Sequence, residues 1–247
     1  MTRLIKPGRT FFAVAMAAFG FQYLIHTLFA AAPAPGPPWA PAPALWAYFT
    51  AIVSVVAAAS IATKKQSRCA AILLAVTFFL RVLFVYLPRL VANIHDPGPW
   101  TSGSELLALC GAALVLAGIS GLGRTLFAVS LVVFGVQHFI YGRFVATLVP
   151  SWIPAHLFWA YFVGAAFVAA AAAIATRIVG RLGATLLGLM FILWVFLLHL
   201  PRVAAAPHNG NEWTSLFVAL AMSGSAFLIA ETLHDHLTLW TARVPKK

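Results

Sequence analysis

Residues 45–63, LWAYFTAIVSVVAAASIAT, form an apolar run without a charged side chain. A transmembrane helix needs about 20 consecutive apolar residues, and the run has that length. Residues 158–176, FWAYFVGAAFVAAAAAIAT, repeat the WAYF motif near the start of this run and the IAT at its end. The pair predicts two membrane-spanning helices and an internal duplication of the chain.

The composition of the whole chain agrees with a membrane protein. Hydrophobic residues make up 62% of the 247 positions and charged residues only 9%. A soluble fold of this size has too little interior to bury so many apolar side chains. Long apolar runs without the alternation of barrel strands predict an all-α membrane protein with eight transmembrane helices. The predicted spans are 11–31, 45–63, 69–88, 103–120, 125–145, 155–176, 182–200 and 213–232.

The basic residues predict how the helices are oriented. The formal charge of +11 falls in short clusters between the apolar runs, which is typical of membrane topology rather than of nucleic-acid binding. The side with few basic residues holds only Arg89, Arg143 and Arg202. By the positive-inside rule both termini are cytoplasmic, and we expect the inner membrane of a bacterium. The cytoplasmic side then collects Arg3, Lys6, Arg9, Lys64, Lys65, Arg68, Arg124, Arg177, Arg181, Arg243, Lys246 and Lys247.

The duplication extends over four predicted helices in each copy. Residues 8–10 and 123–125 both read GRT, residues 87–89 and 200–202 both read LPR, and residues 100–102 and 213–215 both read WTS. Because four is an even number, both copies enter the membrane in the same direction. We therefore expect two parallel four-helix bundle repeats. Residues 1–120 form the first, and residues 121–247 form the second with a short cytoplasmic tail.

Short motifs in the second copy are similar to those of one known family. They are Gly135, Gln137, His138 and Phe139, then Phe144, Val149, Pro150, Trp152, Ile153 and Pro154, and later the LPR run at 200–202 with Glu212, Trp213 and Thr214. These motifs resemble the DoxX-like membrane proteins, which are small four-helix proteins. The chain would then be a fused tandem pair of that unit. In the first copy Tyr23 stands where the second copy has His138.

The resemblance implies a range of functions. DoxX-like proteins include a membrane subunit of a thiosulfate:quinone oxidoreductase, a methylamine-utilisation protein linked to disulfide formation, and membrane assembly or chaperone factors. The cysteines Cys69 and Cys110 form no C-x-x-C motif, which disfavours the disulfide branch. Kinship of fold does not choose among the others.

Polar side chains inside the predicted spans are the candidates for a ligand site. Gln22, Tyr23 and His26 share one face of the first span, since they are spaced three and four residues apart. The second copy matches this group, with the histidine and the tyrosine exchanged, at Gln137, His138 and Tyr141. Such side chains bind a quinone carbonyl or link neighbouring helices by hydrogen bonds, and both interpretations stay open.

Arg81 and Glu105 are predicted to lie at similar depths in the third and fourth spans. Their counterparts in the second copy are Trp194 and Val218, so both charges are lost together. A joint loss favours a structural ion pair, because removing one partner would leave the other charge buried and unpaired. Participation in a ligand site is the alternative.

His199 in the seventh span completes the candidates. Haem ligation by His138 and His199 is not favoured, because nothing in their spacing requires it. We predict no metal site and assign no catalytic residue. Quinone is the one cofactor that the candidate side chains keep open.

The chain has no nucleophile elbow and no phosphate-binding loop. Its many alanine and glycine residues favour close helix packing in the lipid bilayer. We therefore expect a non-catalytic DoxX-like membrane subunit or scaffold that packs beside a redox or assembly partner. A quinone-interacting subunit of an oxidoreductase and a small-molecule permease are the alternatives.

Overall fold

The computed structural model describes residues 2–29 and 43–234, and no β-strand occurs in these two ranges. Two short helices, Thr2–Ile5 and Gly142–Ala146, accompany the long ones. The side chain of His26 and the predicted basic tail residues Arg243, Lys246 and Lys247 lie outside the described part. The long helices are α1 Gly8–Phe29, α2 Pro43–Thr63, α3 Ser67–Ala92, α4 Pro97–Leu116, α5 Ser120–Ile140, α6 His156–Thr176, α7 Gly180–Ala205 and α8 Gly210–Glu231.

Helices α4 and α8 begin earlier than the hydrophobic pattern predicts. The predicted first residues were 103 and 213, whereas the helices begin at Pro97 and Gly210. Asp96 and Asn209 cap these helices, because each side chain accepts a hydrogen bond from the backbone N–H two residues later, at 2.9 and 3.0 Å. The predicted starts were wrong because the capped first turns are too polar to register as membrane segments.

Helices α3 and α7 continue past the prolines near which the sequence predicts their ends. The predicted last residues were 88 and 200, but the helices reach Ala92 and Ala205. A single π-helical turn precedes each proline, at Val82–Tyr86 in α3 and Val195–His199 in α7. There the residue before the proline donates its N–H to the carbonyl five residues earlier. The wider turn accommodates the proline ring without ending the helix.

The long helices pack in chain order. Each contacts the next one, from α1 with α2 to α7 with α8, and α8 also contacts α1. Helix α4 contacts α8 as well. The first and the last long helix therefore lie side by side, and α4 and α8 each pack against three other long helices.

Glycines form the closest approaches between α4 and α5 and between α8 and α1. A Cβ atom added to Gly111 would lie 2.5 Å from the carbonyl oxygen of Gly123. A Cβ atom added to Gly224 would lie 2.8 Å from the carbonyl oxygen of Gly8. The two backbones therefore touch at each crossing, as small residues permit in membrane helices.

The exposed surface of the helices carries many large apolar side chains. Phe12, Phe127 and Phe227 are buried, while Ile52 and Phe158 remain more than half exposed, at 57% and 59%. All eight long helices have the length and hydropathy needed to cross a membrane. Lipid is the solvent that matches such an exterior, which explains the composition of the chain.

Candidate functional site

The two candidate glutamines connect helices that are distant in sequence. The Nε2 atom of Gln137 on α5 donates to Thr101 Oγ1 at 3.0 Å and to the carbonyl of Pro97 at 3.1 Å, both on α4. The Nε2 atom of Gln22 on α1 donates to Thr214 Oγ1 on α8 at 3.4 Å. Each glutamine thus links two helices that also meet at a glycine crossing, α4 with α5 or α8 with α1. The hydrogen bond and the glycines lie at opposite ends of each helix pair.

Tyr141 and His138 bond to backbone carbonyls. The Tyr141 hydroxyl donates to the carbonyl oxygen of His95 at 3.3 Å. The Nδ1 atom of His138 lies 2.8 Å from the carbonyl oxygen of Phe134. Because a carbonyl only accepts, this bond assigns the proton to Nδ1 and leaves Nε2 as an acceptor when the ring is neutral.

Arg81 contacts a tyrosine rather than the predicted carboxylate. Its guanidinium carbon lies 5.0 Å from the centroid of the Tyr23 ring, a cation–π distance. In the described part of the chain Arg81 and Glu105 form no direct ion pair, so the predicted ion pair was wrong. Helices α3 and α4 do pack together, but the arginine extends toward α1, where its guanidinium group lies over the ring of Tyr23.

Tyr86 brings these side chains into one group. Its hydroxyl lies within electrostatic range of Arg81, Tyr23 and Glu105. The four residues come from α1, α3 and α4 and are each partly buried. We call them the Arg81 group. Sequence reasoning missed Tyr86 as a member of this group.

The matching place in the second half is aromatic. The ring of His138 lies 5.2 Å from that of Phe167 in an edge-on contact, and Phe167 lies 6.0 Å from Trp194. Phe191 is 5.2 Å from Trp194. We call these four residues the Trp194 group. Ring-edge contacts of this kind stabilise packing without a buried charge.

Within the described part of the chain, His199 forms no hydrogen bond to a member of either group. Its Nδ1 atom is buried and has no hydrogen-bond partner among the described residues. It lies on the π-helical turn of α7, within electrostatic range of Arg202. Arg202 itself donates to the carbonyl oxygen of Leu148 at 3.1 Å. An unpaired buried nitrogen is uncommon, and a water molecule or a ligand atom would satisfy it.

Thr101 and Thr214 are further residues that sequence reasoning did not select. Both belong to the repeated WTS motif, whose tryptophans donate to backbone carbonyls at 2.9 Å. The repetition was a usable signal, because it placed a hydroxyl at the same position of α4 and α8. Only the packing of α4 on α5 and of α8 on α1 shows that these hydroxyls meet the glutamines.

The cysteines are free thiols in separate environments. Cys69 is exposed, whereas Cys110 is buried. The Cys110 thiol donates to the carbonyl oxygen of Ala75 at 3.4 Å, which links α4 to α3. No group of three or more His, Cys, Asp or Glu side chains in residues 2–29 and 43–234 is arranged to hold a metal ion.

These features define an integral membrane protein whose polar side chains lie between helices. A family model described as a domain of unknown function, DUF8561, matches residues 127–232. The match begins within α5 and ends one residue after α8, so it covers most of α5 and all of α6, α7 and α8. No curated protein and no solved structure matches the chain.

Replacing Gln137 by leucine should lower the thermal stability of the purified protein in detergent. The change removes its hydrogen bonds to Thr101 and Pro97 and leaves the hydroxyl without its side-chain partner. The expected loss is about 0.6–2 kcal/mol, the range for polar contacts between membrane helices. Gln22→Leu is the matched control, because its 3.4 Å bond is longer and its loss should be smaller. Equal losses of stability for the two variants would contradict the stronger hydrogen bonding assigned to Gln137.

Proposed function

We propose that the chain is a non-catalytic, DoxX-like integral membrane subunit or scaffold that packs beside a redox or assembly partner. It consists of two parallel four-helix units, residues 1–120 and 121–247, in a bacterial inner membrane. Both termini face the cytoplasm, as the distribution of basic residues favours. The resemblance of the second unit to DoxX-like proteins supports the class of partner.

Matching contacts support the duplicated architecture. Cys110 bonds to the carbonyl of Ala75 on α3, and Ser223 bonds to the carbonyl of Gly188 on α7 at 2.9 Å. The donors Cys110 and Ser223 are 113 residues apart, and so are the acceptors Ala75 and Gly188. The two π-helical turns, Val82–Tyr86 and Val195–His199, are also 113 residues apart. The glycine crossing of α4 with α5 has a counterpart between α8 and α1. Such agreement is expected of one ancestral unit that was copied and fused.

One observation carries the scaffold interpretation: four of the candidate polar side chains form hydrogen bonds within the protein itself. Gln22 and Gln137 bond to threonines of adjacent helices, Tyr141 bonds to a loop carbonyl, and His138 bonds to its own helix. Side chains that form hydrogen bonds between helices hold the helices in position. Few polar side chains then remain to bind a substrate or to take part in a reaction. A protein built in this way presents a fixed apolar surface to its neighbours in the bilayer.

Purification from the native membrane in mild detergent tests this function. We expect a membrane protein or a larger complex to be recovered with the chain in stoichiometric amount, as quantified by mass spectrometry. The double variant Gln137→Leu with His138→Leu should fold and retain that partner. Recovery of the chain alone, with a small molecule bound to it, would overturn the scaffold proposal.

A quinone-interacting subunit is the second candidate, and the Arg81 group favours it. Arg81 and Glu105 lie within membrane-spanning helices without forming an ion pair, beside the two tyrosines of that group. Charged groups at this depth are costly and are commonly functional. Arg81→Trp with Glu105→Val installs the residues that stand at the matching positions 194 and 218. Extraction of the lipids should then show quinone with the wild type and none with the double variant; equal amounts would reject this candidate.

A further inference from the structure

A cavity opens between α5 and α6 at the end of the helices where α5 begins and α6 ends. Its volume is about 380 Å³, within the range of about 300–1,000 Å³ typical of ligand sites. The walls are small or branched apolar side chains, which leave a groove along the two helices. The lining includes Ala128, Val129, Val132, Val168, Ala171 and Ala172.

Two arginines lie at one end of this groove. Arg124 and Arg177 both line the cavity, and no acidic side chain is among its lining residues. The Nη1 atom of Arg124 donates to the hydroxyl of Thr232 at 3.2 Å and to the carbonyl oxygen of the same residue at 3.4 Å. These bonds fix the guanidinium at the end of α8. Arg177 is exposed and directly follows the last residue of α6.

Within residues 2–29 and 43–234, neither of the two arginines forms an ion pair with an acidic side chain. They lie within electrostatic range of each other. The nearby carboxylate of Glu231 is instead within range of Arg9 and Arg181. Two like charges held close together repel, so an anion placed between them is stabilised by both. Arginine guanidinium groups match the geometry of phosphate oxygens particularly well.

We propose that this groove binds one anionic phospholipid, with its phosphate at Arg124 and Arg177 and an acyl chain along the apolar walls. The apolar part of the cavity selects a lipid over free phosphate, because phosphate would leave the alanine and valine walls unfilled. Basic pockets between membrane helices bind anionic headgroups in this manner. The groove shares no residue with the Arg81 group, so lipid binding there does not depend on the proposed function.

Native mass spectrometry of the full chain in detergent tests the proposal. The probes are phosphatidylglycerol, phosphatidylcholine with the same acyl chains, and inorganic phosphate. We expect phosphatidylglycerol to be retained in preference to phosphatidylcholine. Arg124→Gln with Arg177→Gln should weaken that retention by about thirtyfold, the effect expected of two basic residues near an anionic lipid. Unchanged retention would overturn the proposal.

Two further variants separate charge from shape. Lys65→Gln with Arg68→Gln removes the same number of positive charges from two exposed positions, Lys65 just before α3 and Arg68 in its first turn. This variant should leave the retention of phosphatidylglycerol unchanged. Ala172→Phe fills the groove from an exposed position and keeps both arginines. It should abolish retention of the phospholipid. If Ala172→Phe has no effect, or inorganic phosphate displaces the lipid, the site is a simple anion site and the proposal fails.

Discussion

Gly123→Leu should prevent the chain from reaching a stable folded state. A Cβ atom at this position would overlap the carbonyl oxygen of Gly111 and lie 2.9 Å from the Val115 side chain. Both atoms belong to α4, so the whole helix must move to make room for the new side chain. We expect a loss of more than about 4–5 kcal/mol, a range reached only by severe overpacking or similar defects. The measurement is the yield of monodisperse protein after extraction in mild detergent.

Gly121→Leu is the matched control for this substitution. Gly121 lies on the same helix, two residues earlier, and an added Cβ atom would meet nothing within 4 Å. The two variants have the same composition and the same increase in hydrophobicity. Normal yield with Gly121→Leu and loss with Gly123→Leu would locate the effect in the contact between α4 and α5. Comparable yields for both would show that the two helices do not cross at Gly123.

Phe227→Ala should produce the second-largest loss of stability. Phe227 is 2% exposed, and its ring occupies the space that the missing side chain of Gly188 leaves on α7. It also lies against Gly8 and 6.3 Å from the ring of Phe11 on α1. Truncation therefore opens a cavity where α1, α7 and α8 meet. We expect a loss of about 3 kcal/mol, the lower end for such changes, because transfer from water contributes little in a bilayer.

Thermal unfolding in detergent, followed by loss of the monodisperse protein, measures this effect. Phe196→Ala is the control, since Phe196 is 59% exposed on the surface of α7. Its removal leaves no internal cavity, so its melting temperature should stay close to that of the wild type. Equal decreases for the two variants would contradict the packing of α7 on α8 described above.

The fold was predictable where hydrophobicity alone decides it. The eight apolar runs gave the eight long helices, because a segment that enters lipid must form its backbone hydrogen bonds internally. The helix ends were less predictable. Caps at Asp96 and Asn209 and the π-helical turns before Pro88 and Pro201 depend on local hydrogen bonds that hydropathy does not register.

The sequence indicated some of the polar residues that meet between helices but not their arrangement, and it did not single out Tyr86, Thr101 or Thr214. Depth along the chain correctly indicated that Arg81 and Glu105 lie in adjacent spans, yet Arg81 contacts Tyr23 on a different helix. A cation is attracted to an aromatic face as well as to a carboxylate, and the sequence does not show which is nearer. For the same reason the sequence did not indicate that Thr101 is the hydrogen-bond partner of Gln137, which lies on the next helix.

The apolar composition is enough to predict an all-helical membrane protein, because lipid is the solvent that accepts so many apolar side chains. The order of residues also predicts which polar side chains lie within the helices. Which of these side chains meet depends on the packing of the helices. Partner choice depends on how far each helix is rotated and how closely its neighbours approach, and both are set by contacts such as Gly111 against Gly123 that join distant parts of the chain.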